Sequence, residues 1–168
     1  MRLVAALTKD RQAEGQFWVE GDDGVVFGPV RCRGEADSGN AAKFKNILED
    51  PTRVAGDHPF GVCRVVDIVT IQPADTKGGR TYGPFFVRLH PVSGEAWTAR
   101  QQGREGIGLH GGDLGPAGEL RATFGCLRLD NASLVQVVDR LFAERAAGRE
   151  VFYECREGGP ACSSPPSF

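Results

Sequence analysis

The residues best suited to chemistry lie between positions 107 and 131, in the run IGLHGGDLGPAGELRATFGCLRLDN. Cys126 directly follows a glycine, and His110 stands sixteen positions earlier, at the end of the apolar run Ile107–His110. A thiol becomes a nucleophile when a base or a positive field draws off its proton. A histidine on a strand beside the cysteine would be such a base. Gly111 and Gly112 let the main chain pass close to a bound molecule, and a carbonyl there would accept from one imidazole nitrogen and set the tautomer. Gly125 would let N–H groups around Phe124–Cys126 face a pocket as an oxyanion hole. Arg128, on a strand, would share the face of Cys126, where its guanidinium either grips a carboxylate with two parallel bonds or sits in a surface ion pair. Thr123 suits a hydrogen bond within the turn, Phe124 the lining or underside of a cleft, and Asn131 a helix cap. On spacing alone, Cys126 fits a buried packing cysteine as well as a nucleophile.

The elements that must carry these residues read as largely β. Leu3–Leu7, Gln16–Glu20 and Val25–Val30 are short strands, and Gly21-Asp-Asp-Gly24 between the last two is a hairpin turn. Residues 40–49 (NAAKFKNILE) predict a short helix capped at Ser38 or Asn40, with Phe44, Ile47 and Leu48 on one face. Gly61–Ile71, Phe85–Leu89 and Ile107–His110 predict further strands, and Ala96–Ala99 is expected to pair with the second of them. A loop holds Pro73, Gly78 and Gly79. The clearest helix is Ala132–Ala147, with Leu134, Val138, Leu141 and Phe142 as its apolar stripe, Asp130 or Asn131 as its cap and Gly148 at its end. Val151–Cys155 is a last strand before a Gly/Pro/Ser tail.

Composition narrows the class. The chain has 168 residues, 40% of them hydrophobic and 25% charged, which suits one ordinary globular domain. Twenty basic residues (16 Arg, 4 Lys) against 22 acidic ones give a net charge of -2, which excludes a strongly basic nucleic-acid binder. Glycine, at 23 residues, stands at about twice its usual ~7% share, as a turn-rich β fold requires. The apolar run Leu3–Leu7, closed by Lys9 and Asp10, is shorter than a signal-peptide core or a membrane span. The expectation is a cytosolic chain, a mature one, or export by a route that reads no N-terminal signal. Five cysteines leave at least one unpaired, and the absence of Cys-x-x-Cys and of ligand spacing among His58, His90 and His110 gives no zinc pattern. Cys155 and Cys162 flank Gly158-Gly159-Pro160 and would close a small disulfide loop or stay as two free thiols. Cys32 and Cys63 read as inert strand residues, His58 and His90 as carrying no chemistry, and Trp18 and Trp97 as core or rim aromatics, Trp97 with the option of lining a groove.

At His110-Gly111 and Thr123-Phe124-Gly125-Cys126-Leu127-Arg128-Leu129, with Asn131 beyond, the chain resembles the active-site signature of the YkuD-type L,D-transpeptidases. His58-Pro59-Phe60-Gly61-Val62-Cys63 and Gly83-Pro84-Phe85-Phe86 resemble that family's earlier strands. The resemblance covers about residues 56–145, and the first 50 match little of the family. Two departures stand out. Phe124 takes the place of the usual histidine between Thr and Gly, and the loop from His110 to Thr123, part of the substrate cleft, is a little shorter than usual. The resemblance implies a single β-rich YkuD-like sandwich or barrel with two helices. Residues 1–50 would form an N-terminal β extension of the domain, 51–157 the catalytic part and 158–168 a flexible tail.

It also implies the chemistry. Cys126 would attack the carbonyl between the L-centre of diaminopimelate and D-Ala in a peptidoglycan stem tetrapeptide, with His110 as acid and base and the Gly111 carbonyl orienting it. Gly125, Phe124, Thr123, Gly112 and Arg128 would make the oxyanion and substrate site. A thioester would pass to an amine, as L,D-transpeptidase, or to water, as L,D-carboxypeptidase. The resemblance implies no metal or organic cofactor, no nucleic acid and no membrane insertion, and action in the periplasm or wall. A second reading is the same chemistry in a secreted antibacterial effector, with an immunity protein or secretion apparatus as partner. A third is a non-catalytic peptide- or partner-binding β domain.

Overall fold

Asp22 and Asp23 turn the chain between two antiparallel strands, β2 (Gly15–Gly21) and β3 (Gly24–Cys32), whose register places Gly21 opposite Gly24. In this computed structural model, which describes residues 1–71 and 77–158, that hairpin is one end of an eight-stranded sheet. β1 (Arg2–Leu7) pairs antiparallel with β2 and parallel with β8 (Phe152–Glu157). β8 also pairs antiparallel with β4 (Gly61–Thr70), so the last strand joins the N-terminal hairpin to the middle of the chain. β5 (Phe85–Pro91), β6 (Gly108–His110) and β7 (Leu127–Arg128) complete the order β3-β2-β1-β8-β4-β5-β6-β7. Just past β3, Arg33 bridges antiparallel to Arg128 and Ala36 parallel to Thr123. The two ends of the sheet thereby meet, and the sheet curls almost into a barrel. Its single core is built from Leu3, Phe17, Val19, Val87, Leu109, Leu127 and Tyr153, all buried.

The mainly β fold expected from the sequence is present, with four helices among the described residues where two are expected. The additional pair are α2 (Lys77–Tyr82) and α3 (Gly94–Gln101). α3 takes up the segment expected to pair as a strand at Ala96–Ala99. Its sequence, GEAWTARQ, is rich in good helix formers and buries Ala96 and Ala99, leaving Trp97 on its outer side and away from the cleft described below. α2 occupies part of the expected loop and includes Gly78 and Gly79.

α1 is shorter than expected. It spans Ser38–Lys43, capped by the Asp37 carboxylate on the Asn40 N–H, and stops at Phe44. The side chain of Asn46 ends the helical pattern, because it bonds the main chain of Asp50 and Val54 instead, and Lys45 and Glu49 take positive φ. Ile47 and Leu48 are consequently 81% and 91% exposed rather than packed on one face.

α4 (Asn131–Ala146) follows the expected stripe, with Ser133, Leu134, Val137, Val138 and Leu141 buried. Phe142 stays half-exposed and meets Phe85 edge-on. Asp130 caps α4 by accepting from the Ser133 N–H at 2.9 Å, and Gly148 turns the chain out beyond it with φ +68. Cys155 is buried on β8, whereas Cys162, the other end of the expected loop, lies outside the described residues. Because Asp130 also accepts from the Ser133 hydroxyl, Asp130→Ala is expected to lower stability by about 1 kcal/mol, the usual cost of a lost N-cap. Urea denaturation followed by circular dichroism measures it.

Candidate active site

Parallel pairing of β6 with β7 sets Leu109 opposite Leu127 and His110 opposite Arg128. Side chains alternate along a strand, so the two leucines face the core. His110, Arg128 and, one step before β7, Cys126 face the other way. There they line a cleft of ≈1240 Å³ together with Tyr82, Phe86, Arg104 and Phe124. Cys126 and His110 are thus two residues apart in register, on one face of two bonded strands. Phe124 is 53% exposed in the cleft, whereas Cys126 and His110 lie at its floor, 7% and 2% exposed.

The turn before Cys126 is tied from inside. The Thr123 hydroxyl donates to the Cys126 carbonyl at 2.8 Å and accepts from the Gly125 N–H at 2.9 Å. Gly125 has φ +97, and a Cβ there would run into the Gly56 carbonyl and the Arg104 guanidinium. Its N–H is engaged by Thr123 and is not free to serve an oxyanion. Among the described residues, the N–H groups of Phe124 and Cys126 carry no hydrogen bond. The Gly125 carbonyl accepts from His58 Nδ1 at 3.0 Å and from Arg104 Nη2 at 3.1 Å. The Cys126 thiol donates to the Gly106 carbonyl at 3.3 Å. Burial pushes that thiol up to about 11, against the lowering effects of the Gly108 N–H, Arg104 and Arg128. A depressed value is expected of a nucleophilic cysteine, and the resting site instead holds a neutral thiol. Burial sends Cys63 and Cys155 further, to about 12.

His110 is fixed as tightly. Its Nδ1 lies 2.7 Å from the Gly111 carbonyl. A carbonyl only accepts, so Nδ1 carries the proton and Nε2 the lone pair. The ring stacks on Phe86 and meets Tyr82 edge-on. Burial lowers its pKa to about 4, so the imidazole is neutral. The following glycines pack against Asn131, whose side-chain oxygen accepts from the Gly112 N–H at 2.8 Å, while Asp130 rather than Asn131 caps α4. α2 holds the same loop from outside, through Gly111 N–H to the Tyr82 carbonyl and Asp113 N–H to the Arg80 carbonyl, both at 2.8 Å. Arg128 spends Nη1 on the Asp113 carbonyl at 3.1 Å and Nη2 on the Thr81 carbonyl at 2.8 Å. Only its buried Nε lacks a partner, so it offers no two-pronged grip on a carboxylate.

The sequence singled out neither Arg104 nor a role for His58. His58 is fully buried, donates from Nδ1 to Gly125, and accepts at Nε2 from the Tyr153 hydroxyl at 2.8 Å. Arg104, 4% exposed, bonds the carbonyls of Pro51, Gly56, Asp57 and Gly125. Arg11 bonds the His58 carbonyl and Glu95 and lies over Phe60. A lone arginine in a loop between Gly103 and Gly106 has no local signal that separates it from a surface residue.

The sequence matches no protein-family model and no curated protein. Among solved structures it is similar to the helical cell shape determining protein Pgp2 from Campylobacter jejuni (19% identity, TM-score 0.49, over 94% of this chain and 48% of that one). It is also similar to Bd1075 from Bdellovibrio bacteriovorus (15%, 0.48, 82% and 43%) and to L,D-transpeptidase 1 from Mycobacterium tuberculosis (14%, 0.36, 92% and 60%). The chain spans about half the length of the first two.

Two buried neutral histidines give the fold an acid limit. His58, lowered by burial to about 3, and His110, at about 4, bind no proton where an unfolded histidine does, near 6.5. Their contribution is complete above pH 6.5 and is lost as pH falls from there toward 4. Asp57, raised by burial to about 6, acts in the opposite sense over 3.8 to 6, one proton against two. The urea midpoint is therefore expected to be lower at pH 4.5 than at pH 7, and an equal or higher midpoint at pH 4.5 contradicts this assignment.

Proposed function

We propose that the protein is a cysteine acyltransferase acting on the stem tetrapeptides of peptidoglycan, an L,D-transpeptidase with L,D-carboxypeptidase turnover when water is the acceptor. The observation that carries the proposal is the placement of Cys126 and His110 on one face of paired strands, with the Gly111 carbonyl leaving the His110 lone pair on Nε2. The signature resemblance supplies the substrate class.

The resting pair is a neutral thiol and a neutral imidazole, so no thiolate–imidazolium ion pair waits in the free enzyme. His110 Nε2 takes the Cys126 proton as Sγ bonds to the carbonyl carbon between diaminopimelate and D-Ala. The carbonyl oxygen becomes an oxyanion, and the unengaged N–H groups of Cys126 and Phe124 are the donors available to it. The carbon–nitrogen bond breaks, His110 returns the proton to the departing D-Ala amine, and a Cys126 thioester remains. An amine of a second stem, or water, then loses a proton to His110 and attacks the thioester, and the proton goes back to sulfur. Lys77, Arg88 and Arg121 line the cleft and suit a peptide that carries carboxylates.

Incubation with a disaccharide-tetrapeptide, with D-Ala assayed and the intact protein weighed, tests the proposal. The wild type is expected to release D-Ala and to accumulate the acyl mass on Cys126, and Cys126→Ala to do neither. Release by Cys126→Ala at the wild-type rate, or none from the folded wild type, overturns it in favour of a structural Cys126. The acid limb of kcat/KM is expected near pH 4, where His110 takes up its proton, rather than near 6.5. A limb at 6.5 removes His110 from the role of base.

A further inference from the structure

We propose that Arg104 is a positioning residue for the nucleophile: its guanidinium and the His58 imidazole hold the Gly125 carbonyl so that the N–H of Cys126, on the opposite edge of the same peptide, stays free as an oxyanion donor. This deepens the acyl-transfer reading and rests on it.

Peptide geometry carries the inference. The Gly125–Cys126 bond is trans, as the chain's one cis peptide is Gly28–Pro29 among the described residues. In a trans peptide the C=O and the N–H point in opposite directions. The Gly125 oxygen points inward, accepting from Arg104 Nη2 at 3.1 Å and His58 Nδ1 at 3.0 Å. The Cys126 N–H therefore points away from both donors, and no protein group takes it up among the described residues. Two donors on one carbonyl, one of them charged, also polarise the peptide and strengthen its N–H as a donor.

Arg104 has features that packing alone leaves unexplained. A buried guanidinium ordinarily faces a carboxylate, yet among the described residues Arg104 makes no salt bridge. Its hydrogen-bond partners are main-chain carbonyls, so its positive charge is not cancelled by a contact ion. It lines the same cleft as Cys126, and two residues on, its own loop supplies the Gly106 carbonyl that receives the thiol at 3.3 Å. One short loop thus grips the peptide unit ahead of the nucleophile and the sulfur itself. The charge stands where negative charge gathers, first on sulfur and then on the oxyanion. His58 cannot act alone here. It is neutral, and with the Gly125 carbonyl holding its proton on Nδ1 its Nε2 accepts from the Tyr153 hydroxyl.

Arg104→Lys and Arg104→Gln test this, each checked for folding by circular dichroism and assayed in 1 M sucrose if marginal. Arg104→Lys keeps a charge and loses the fork. It is expected to lower kcat for D-Ala release by roughly tenfold or more with KM unchanged, as a misaligned oxyanion donor would. Arg104→Gln also loses the charge. It is expected to raise the pH midpoint of iodoacetamide labelling at Cys126 by about one unit or more. A purely structural arginine would lower Tm and leave both quantities where they are in the folded protein, and that result overturns the proposal. If Arg104→Gln does not fold, the kcat of Arg104→Lys decides. If the wild type releases no D-Ala, the labelling midpoint decides the role of Arg104, and the acyl-transfer reading falls separately.

Discussion

One carbonyl oxygen, that of Gly125, organises the site. Two buried side chains meet there, Arg104 from the loop between α3 and β6 and His58 from the loop before β4. Each is anchored behind: His58 by Tyr153 on β8 and Arg104 by the Pro51, Gly56 and Asp57 carbonyls. Arg11, following β1, closes the set by bonding the His58 carbonyl. A hydrogen bond to a charged group is worth about 1.5–3 kcal/mol, and an orphaned buried acceptor costs about 1–3. The knot therefore has little freedom to rearrange piecemeal. It ties the N-terminal hairpin, the middle loops and the last strand to the turn that presents Cys126.

The electrostatics of that turn follow from burial. A closed, apolar floor disfavours charge on any group that lacks a partner, so the thiol goes up and both histidines come down. Arg104 and Arg128 lean against this trend at the sulfur without overcoming it. The resting site is neutral, and in the proposed reaction charge would separate only as a substrate carbonyl arrives to accept it. Neutrality also spares the free protein an ion pair in a low-dielectric pocket, where desolvation is expensive. The same burial keeps His110 neutral, and a single main-chain carbonyl, that of Gly111, holds its proton on Nδ1 and leaves the lone pair on Nε2.

α2 is the element whose importance is least apparent from its length. Six residues long, it offers the carbonyls of Arg80, Thr81 and Tyr82 to Asp113, Arg128 and Gly111. It thereby holds the His110 loop and the Arg128 side chain at once. The close approach is possible because Gly83 and Gly111 carry no Cβ where Asn131 reaches in. Phe124, in the place where the resembled signature has histidine, leaves the tie to Gly125 unaffected, since the bonds there run through Thr123, His58 and Arg104.

The sequence alone determined what is local. Alternation and turn chemistry marked the β2–β3 hairpin, most strands and α4, with its cap narrowed to Asp130 or Asn131, because each depends on residues within a few positions. The residues His110-Gly111 and Thr123-Phe124-Gly125-Cys126 stood out through their resemblance to a known signature, because spacing alone suits a packing cysteine equally well. Local pattern failed where a polar side chain diverted the backbone, as Asn46 does at the end of α1, and where helix-forming composition outweighed an expected strand, as in α3. Only the tertiary structure decided which N–H groups stay free, which way the thiol titrates and which residues stand behind it. The partners of Gly125 come from 21 and 67 positions away, and Tyr153 meets His58 across 95. Hydrogen bonds over such separations leave no periodicity to read. They exist because the strand order brings the chain's first and last strands together and folds the α3–β6 loop beneath the cysteine.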